Sequence, residues 1–281
     1  MMATEPTIEQ RTRFQNLPQD QLALVQFLSI KDQTTFVQYR TASERVVKAH
    51  GGQRTHDVQV DQILAGGEMP FQAITVDRFP SKDAALSAFD SINTERRATL
   101  TDIFALVVRP VDRIPRLVKA MGFLSPFFSR ILGTTTEKDI PSFAELADPQ
   151  KGPVPETLAV LRQHDPSTPF YMMNLNKYYP TARYTNDEDI SGEQAYNRYS
   201  SRILPYLVSV GGYPDIVGHV LTTLVGDETS PLHENWSDFA MVYYPSRGTF
   251  IKMMTNTPKK GIYHRDASLQ RAVLMPSSEW Q

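Results

Sequence analysis

Six histidines (His50, His56, His164, His219, His233 and His264) and a complete absence of cysteine limit what chemistry this chain can do. Histidine, arginine and tyrosine are what remain for moving protons and holding anions. His219 lies in Ile216-Val217-Gly218-His219-Val220-Leu221, a titratable ring in a mostly apolar strand. Alternation puts it on the face shared with Val217 and Leu221, where it is either a hydrogen-bonded core histidine or a proton carrier. His264 and Arg265 stand side by side in a helical stretch near the C-terminus. If they face a cavity, Arg265 could hold a carboxylate or enolate oxygen while His264 moves a proton. If they face water, they are a charged helix surface. The candidate catalytic set is therefore His264, Arg265 and His219. Tyr199 and Tyr244 could add phenol hydroxyls, and Asn174 and Asn176, two apart on one strand, could orient a polar group; each also reads as ordinary packing. His50 falls in the last turn of a helix, where it favours the macrodipole, and His164 falls in a connecting segment.

The chain carries no glycine-rich phosphate loop, no Gly-x-Ser-x-Gly elbow and no His-Glu-x-x-His helix. No cysteine means no disulfide, thiolate nucleophile, iron–sulfur cluster or cysteine-ligated zinc, and the reading has no metal site and no cofactor. With 29 Lys+Arg against 31 Asp+Glu the formal net charge is -2, which argues against a polycation built for nucleic acid. Apolar residues make up 41% of the 281, enough for real cores, and no run reaches the roughly 18 apolar residues of a membrane span. The first 22 residues are polar and lack the apolar core of a secretory signal, so a cytoplasmic location is expected.

These residues must be positioned by elements, and the elements repeat. Val76-Asp77-Arg78-Phe79-Pro80-Ser81 before a helical stretch finds a counterpart in Val242-Tyr243-Tyr244-Pro245-Ser246. Phe36 and Tyr39 precede Gly51-Gly52 at the same offsets as Tyr196 and Tyr199 precede Gly211-Gly212. The run ending Val107-Val108-Arg109-Pro110 matches the one ending Val273-Leu274-Met275-Pro276. Each half reads β-α-β-β-α-β. The first has strands over 24–30, 58–64, 71–79 and 103–109, with helices over 35–50 and 82–91 and a helical turn near 94–101. The second has strands over 171–176, 216–225, 237–244 and 271–275, with helices over 193–210, 247–255 and 258–268. The glycine pairs close helices, and Ser81 opens one. The expected fold is α+β, two ferredoxin-like modules in tandem over 23–111 and 169–281, after a polar segment 1–22 and joined by 112–168. Within that connection, Ile114, Leu117, Val118, Met121, Leu124, Phe128 and Ile131 recur at helical spacing, with Arg113, Arg116, Lys119 and Arg130 around them. A helix over 114–133 is expected to pack across one module. A basic amphipathic helix could instead lie on an anionic membrane surface. A short helix over 156–163 follows.

In the second half, Asn235-Trp236, Phe239-Ala240-Met241-Val242-Tyr243-Tyr244-Pro245-Ser246, Phe250 and Tyr263-His264-Arg265 with Ala267 resemble the bacterial domain-of-unknown-function 1330 family. That family belongs to the dimeric α/β-barrel superfamily, with EthD-like proteins, antibiotic-biosynthesis monooxygenases and dye-decolourising peroxidases. The resemblance covers about 110 residues well and the first half loosely, since the Trp and the His-Arg pair have no counterpart there. It implies that the two modules close on each other as a pseudo-dimeric barrel, either in a monomer or within a homodimer. It implies a ligand cavity in the barrel interior or in the clefts between sheet and helices, and it adds Trp236 to the substrate-binding set of Asn174, Asn176, Tyr199 and Tyr244.

Two classes of function follow. One is a small-molecule enzyme acting on an apolar or aromatic substrate by acid–base chemistry, without metal or cofactor: cofactor-independent oxygenation, isomerisation, dehydration or decarboxylation. The other is a non-catalytic ligand-binding or stress-related protein. Related barrels bind haem through a helix histidine, which makes a haem enzyme using His264 a third and smaller reading. No nucleic-acid partner is expected.

Overall fold

The computed structural model describes residues 4–18, 21–134, 148–186 and 188–280. Eight antiparallel strands form one closed barrel in the order β1-β3-β2-β8-β5-β7-β6-β4. The strands are β1 (Leu22–Ile30), β2 (Gln53–Val60), β3 (Ala73–Phe79), β4 (Leu100–Pro110), β5 (Phe170–Tyr178), β6 (Tyr213–Val225), β7 (Asp238–Tyr244) and β8 (Leu269–Glu279). In the first half, α2 (Gln33–Ala49) follows β1, and α3 (Lys82–Ser91) and α4 (Asn93–Thr99) follow β3. In the second, α8 (Gly192–Ser209) follows β5, and α9 (Arg247–Asn256) and α10 (Lys259–Ser268) follow β7. The element order is the same in both halves. A register shift also falls at the same place in each, between Arg54 and His56 on β2 and between Pro214 and Ile216 on β6.

Two seams join the halves. β4 pairs with β6 from Ala105↔Val225 to Pro110↔Gly218, and β2 pairs with β8 over Val58↔Glu279 to Val60↔Ser277. Closure removes every sheet edge, which for a single module would be a row of unpaired backbone groups. The barrel interior is filled: Val25, Phe27, Phe104, Met173, Phe239 and Met275 are all fully buried in one cluster drawn from both halves. An eight-stranded barrel can be filled by its own side chains, and this one is, so the expectation of a ligand cavity inside the barrel gives way to the clefts outside it.

Most helices start where the sequence marks them. Ser81, Ser191 and Ser246 each accept a hydrogen bond from a backbone N–H of the first turn. Gly51 and Gly211, at φ +73° and +76°, end the long helices in the left-handed conformation. The strand expected over 58–64 is instead β2 over Gln53–Val60. Its polar start, Gln-Arg-Thr-His-Asp, reads as loop, yet Arg54 and His56 bury themselves against Asp77 and Asp215, which are distant in sequence. The N-terminal polar segment holds a helix, α1 (Ile8–Gln15), whose Phe14 enters the first-half core. The helix expected over 114–133 is broken into α5 (Arg113–Ala120), a 3-10 turn at Met121–Leu124 containing Gly122, and α6 (Ser125–Leu132), with Pro126 in its first turn. α7 (Pro155–Gln163) is the short helix expected at 156–163; the 135–147 part of the connection lies outside the described residues. No helix among the described residues is long and apolar enough to cross a membrane.

Candidate functional site

A cavity of about 530 Å³ lies between the outer face of the second-half sheet and the helices that cover it. Its floor follows from strand alternation. Met172, Asn174, Asn176 and Tyr178 of β5 share one face, and the register sets Asn176 beside Asp238, Asn174 beside Ala240 and Met172 beside Val242 of β7. Its roof is α8, which presents Tyr196, Tyr199, Ile203 and Leu207 at helical spacing. Arg265 and Asp266 of α10 and Phe250 and Met253 of α9 close the sides.

The register divides the cavity into two ends. Toward Met172, Val242, Tyr244 and Phe250 it is apolar, and the Tyr244 hydroxyl there finds only the sulfur of Met253, at 3.5 Å. Burial holds that phenol well above its ordinary pKa. Toward Asn176, Tyr178 and Asp238 it is polar. The Tyr178 hydroxyl donates to Asp238 Oδ2 at 2.6 Å, and His219 Nδ1 lies 2.7 Å from Asp238 Oδ1. Burial, with Tyr196 and Asp238 adding to it, pushes the Tyr178 phenol far above its usual range, so it is a standing donor. Asn176 Nδ2 donates to the Tyr196 hydroxyl at 3.2 Å, and the Tyr178 and Tyr196 rings are 5.1 Å apart. Arg265 is steadied by a bond from Nη2 to the Lys151 carbonyl. Burial raises the Asp266 carboxyl, opposed by Arg265 and Lys151.

Arg265, Asn174, Asn176, Tyr199 and Tyr244 therefore all line this cavity. His219 does not line the cavity: it stands directly across from Asp238 on β6, with its side chain 39% exposed. Trp236 does not reach the cavity: it packs in the barrel interior, and its indole N–H donates to the Leu232 carbonyl at 2.8 Å. His264 is also elsewhere. It is buried on the far side of α10, with Nδ1 2.6 Å from the Tyr184 hydroxyl and Nε2 enclosed without a partner. No histidine is among the lining side chains, so the lining offers a haem iron no imidazole, and His264 does not fit that role. Among the described residues no group of three His, Asp or Glu is placed to hold a metal ion. Tyr178 escapes a sequence reading that stops the strand at residue 176, and Asp238, inside the strand expected over 237–244, was not singled out there. Continuing the alternation of Asn174 and Asn176 by one step reaches Tyr178.

His264 makes a prediction of its own. Desolvation first, then Arg202, Arg198 and Lys260, lower its pKa in the folded state, with Glu188 opposing. A base whose folded pKa is depressed takes up its proton more readily when unfolded. Its contribution to stability is therefore full above the unfolded value of about 6.5 and is lost as pH falls below it. The denaturant midpoint is expected to drop between pH 7.5 and 5.5, and His264→Gln to flatten that drop; an unchanged slope would contradict the assignment.

The corresponding cleft of the first half is packed. Leu28 and Ala73 stand at the sheet positions that Asn176 and Asp238 hold in the second half. Phe14, Phe36 and Tyr39 fill the space above. The level of Val242 is taken by Asp77, paired with Arg54 at 2.8 Å and accepting from Gln26 at 3.2 Å. Trp280 closes the side, 5.4 Å from the Phe36 ring and under the Arg40 guanidinium.

No protein-family model matches the chain, and no curated protein matches it. Solved structures do. A protein of unknown function from Rhodopseudomonas palustris is 25% identical over 47% of this chain and 98% of its own, with a TM-score of 0.43. A candidate monooxygenase from Lactobacillus acidophilus is 10% identical over 92% of this chain and 93% of its own, with a TM-score of 0.42. Chlorite dismutase from Candidatus Nitrospira defluvii is 10% identical over 95% and 94%, with a TM-score of 0.40.

Proposed function

We propose that the chain is an internally duplicated α+β barrel of the EthD-like kind whose second half kept an open cleft, and that this cleft is the active site of a small-molecule enzyme. The observation that carries the reading is the position of Asp238, at the polar end of a largely apolar cavity and hydrogen-bonded to both Tyr178 and His219. An apolar or aromatic substrate would lie along Met172, Val242 and Phe250 with its polar group toward Asn176 and Tyr178. Asp238 then acts as base. An acidic C–H bond breaks, the proton moves to Oδ2, and the electron pair stays on the substrate as an enolate or phenolate. Protonation of Oδ2 frees the Tyr178 hydroxyl to donate to the new oxyanion, and Arg265 supplies positive charge nearby. Returning the proton from Oδ2 to another carbon completes an isomerisation. In an elimination the enolate electron pair forms a double bond as the bond to the leaving group breaks, and the departing group takes the proton from Oδ2. His219 holds the carboxylate in place through Oδ1 and links it to solvent; it is a positioning residue. No proton passes through His264.

The test has two parts. An apolar fluorescent probe, anilinonaphthalene sulfonate, is expected to bind the wild-type protein, and Ala240→Phe, which fills the floor, to weaken it at least about tenfold. Equal binding by both proteins would place the ligand elsewhere. Proton magnetic resonance of a panel of phenols and 1,3-dicarbonyl compounds in heavy water then reads exchange of an acidic C–H. Asp238→Asn is expected to slow it by about 10²–10⁴. Binding without exchange at any compound would favour the second reading, a carrier that does no chemistry, since most of the lining is apolar.

A further inference from the structure

The segment from α5 to α6 leaves its apolar residues largely uncovered. α5 packs on β6 through Pro115 and Val118, and α6 is fastened to α8 by bonds from Ser125 Oγ to the Ser209 carbonyl and from Thr134 Oγ1 to Ser209 Oγ. Against that, Leu117 is 64% exposed, Phe123 79%, Phe127 61% and Ile131 63%. Large apolar side chains clustered on one surface mark an interaction site. Charge identifies the occupant. Residues 113–133 contain four basic side chains, Arg113, Arg116, Lys119 and Arg130, all exposed, and no acidic one. The nearest carboxylates, Asp112 and Asp215, are already engaged by Arg116 at 3.8 Å, by Lys119 at 3.3 Å, and by Arg78 and His56. Arg113 and Arg130 have no ion pair among the described residues, and the four basic side chains of the segment outnumber the two carboxylates beside it, which are shared with Arg78 and His56. Apolar wedges set among excess positive charge match the boundary of an anionic bilayer. A second copy of this near-neutral chain offers no such field.

The patch is also continuous with the cavity. Ile114 lines the cavity and is itself 57% exposed, so the cavity reaches the surface beside α5. We propose that α5, the 3-10 turn and α6 seat on an anionic membrane surface, and that the cavity takes its apolar ligand from that membrane past Ile114. The second clause rests on the cavity's being a ligand site; the first does not.

Co-sedimentation of the full chain with vesicles tests it. Binding is expected to vesicles of phosphatidylcholine with 30% phosphatidylglycerol, to fall at least tenfold on pure phosphatidylcholine, and to weaken as salt is raised. The triple variant F123S/F127S/I131S is expected to lose at least tenfold in binding, and R113Q/R130Q to lose the preference for phosphatidylglycerol; these side chains are exposed, so an unchanged thermal midpoint shows that the fold survives. No binding to the anionic vesicles, or equal binding by the triple variant, overturns the proposal. So does a dimer in solution that the triple variant disperses, because a second copy would then cover the face. Anilinonaphthalene sulfonate binding in solution keeps the two ideas apart. If it fails to respond to Ala240→Phe while vesicle binding holds, the membrane face stands and the entry route falls. If the probe responds and vesicle binding fails, the membrane proposal alone is lost.

Discussion

Arg54→Leu is expected to cost the fold about 3–5 kcal/mol, because it would strand a buried carboxylate. Arg54 and Asp77 have side chains 7% and 1% exposed, and the guanidinium holds both carboxylate oxygens through Nε at 2.8 Å and Nη2 at 3.0 Å. Its remaining nitrogen, Nη1, donates to Ser43 Oγ at 2.9 Å, so one side chain ties β2 to β3 and to α2. Burial pushes the Asp77 carboxyl up even with Arg54 opposing it. Without Arg54 only the Gln26 hydrogen bond still opposes that push, and Asp77 would be protonated in the folded state at pH values where the unfolded chain is ionised. A raised folded pKa means that the folded state binds the extra proton, so the variant should regain stability as pH is lowered from 7 toward 5. The double variant R54L/D77L should recover most of the loss, since two apolar groups of similar volume often replace a buried pair without penalty. Chemical denaturation of the wild type and the two variants reads all of this. A loss below about 1 kcal/mol in the single variant would mean that water reaches Asp77.

The second large effect concerns a residue with no functional group. In Gly192→Ala the new Cβ would lie 2.4 Å from the Tyr179 carbonyl oxygen, 2.7 Å from the Ser268 oxygen and 2.8 Å from the Tyr179 nitrogen. All three are backbone atoms, so no rotamer change relieves the contact. The same three residues are linked by hydrogen bonds, Gly192 N–H to Tyr179 at 3.1 Å and Tyr179 N–H to Ser268 at 2.9 Å. They pin the start of α8 to the end of β5 and the end of α10. Overpacking of this kind costs about 1–3 kcal/mol. Because α8 carries Tyr196 and Tyr199 over the cavity, the variant should also weaken anilinonaphthalene sulfonate binding several-fold. Gly122→Ala is the control: nothing lies within 4 Å of its added Cβ, and it should be neutral. A G192A protein with unchanged melting and unchanged probe binding would show that α8 is not fixed at this point.

The elements were readable where local signals and burial agree. Lys82–Ser91 is bounded as its Ser81 cap requires, and the glycine pairs end α2 and α8 as left-handed caps. β2 was misplaced because its first residues are polar. Their burial is made tolerable by Asp77 and Asp215, and pairings across 23 and 159 residues leave no periodic trace. The amphipathic pattern over 114–133 was also legible, but the pattern cannot say whether its apolar side meets a core or is left uncovered.

The site shows the same division. Alternation alone puts Asn174 and Asn176 on one face of a strand, and the match between the halves sets the order β-α-β-β-α-β twice. Only the closed barrel decides that its interior is solid and that one outer cleft is open while the other is filled. Adjacency in sequence also misleads at His264 and Arg265. Neighbouring helix positions point about 100° apart, so Arg265 enters the cavity while His264 turns to Tyr184. Residue types and their periods, with the missing cysteines, determined which chemistry was available and on which elements it sits. Which groups meet was left to packing, because contacts such as those of Asp238 with His219 and with Tyr178 exist only once three strands are in register.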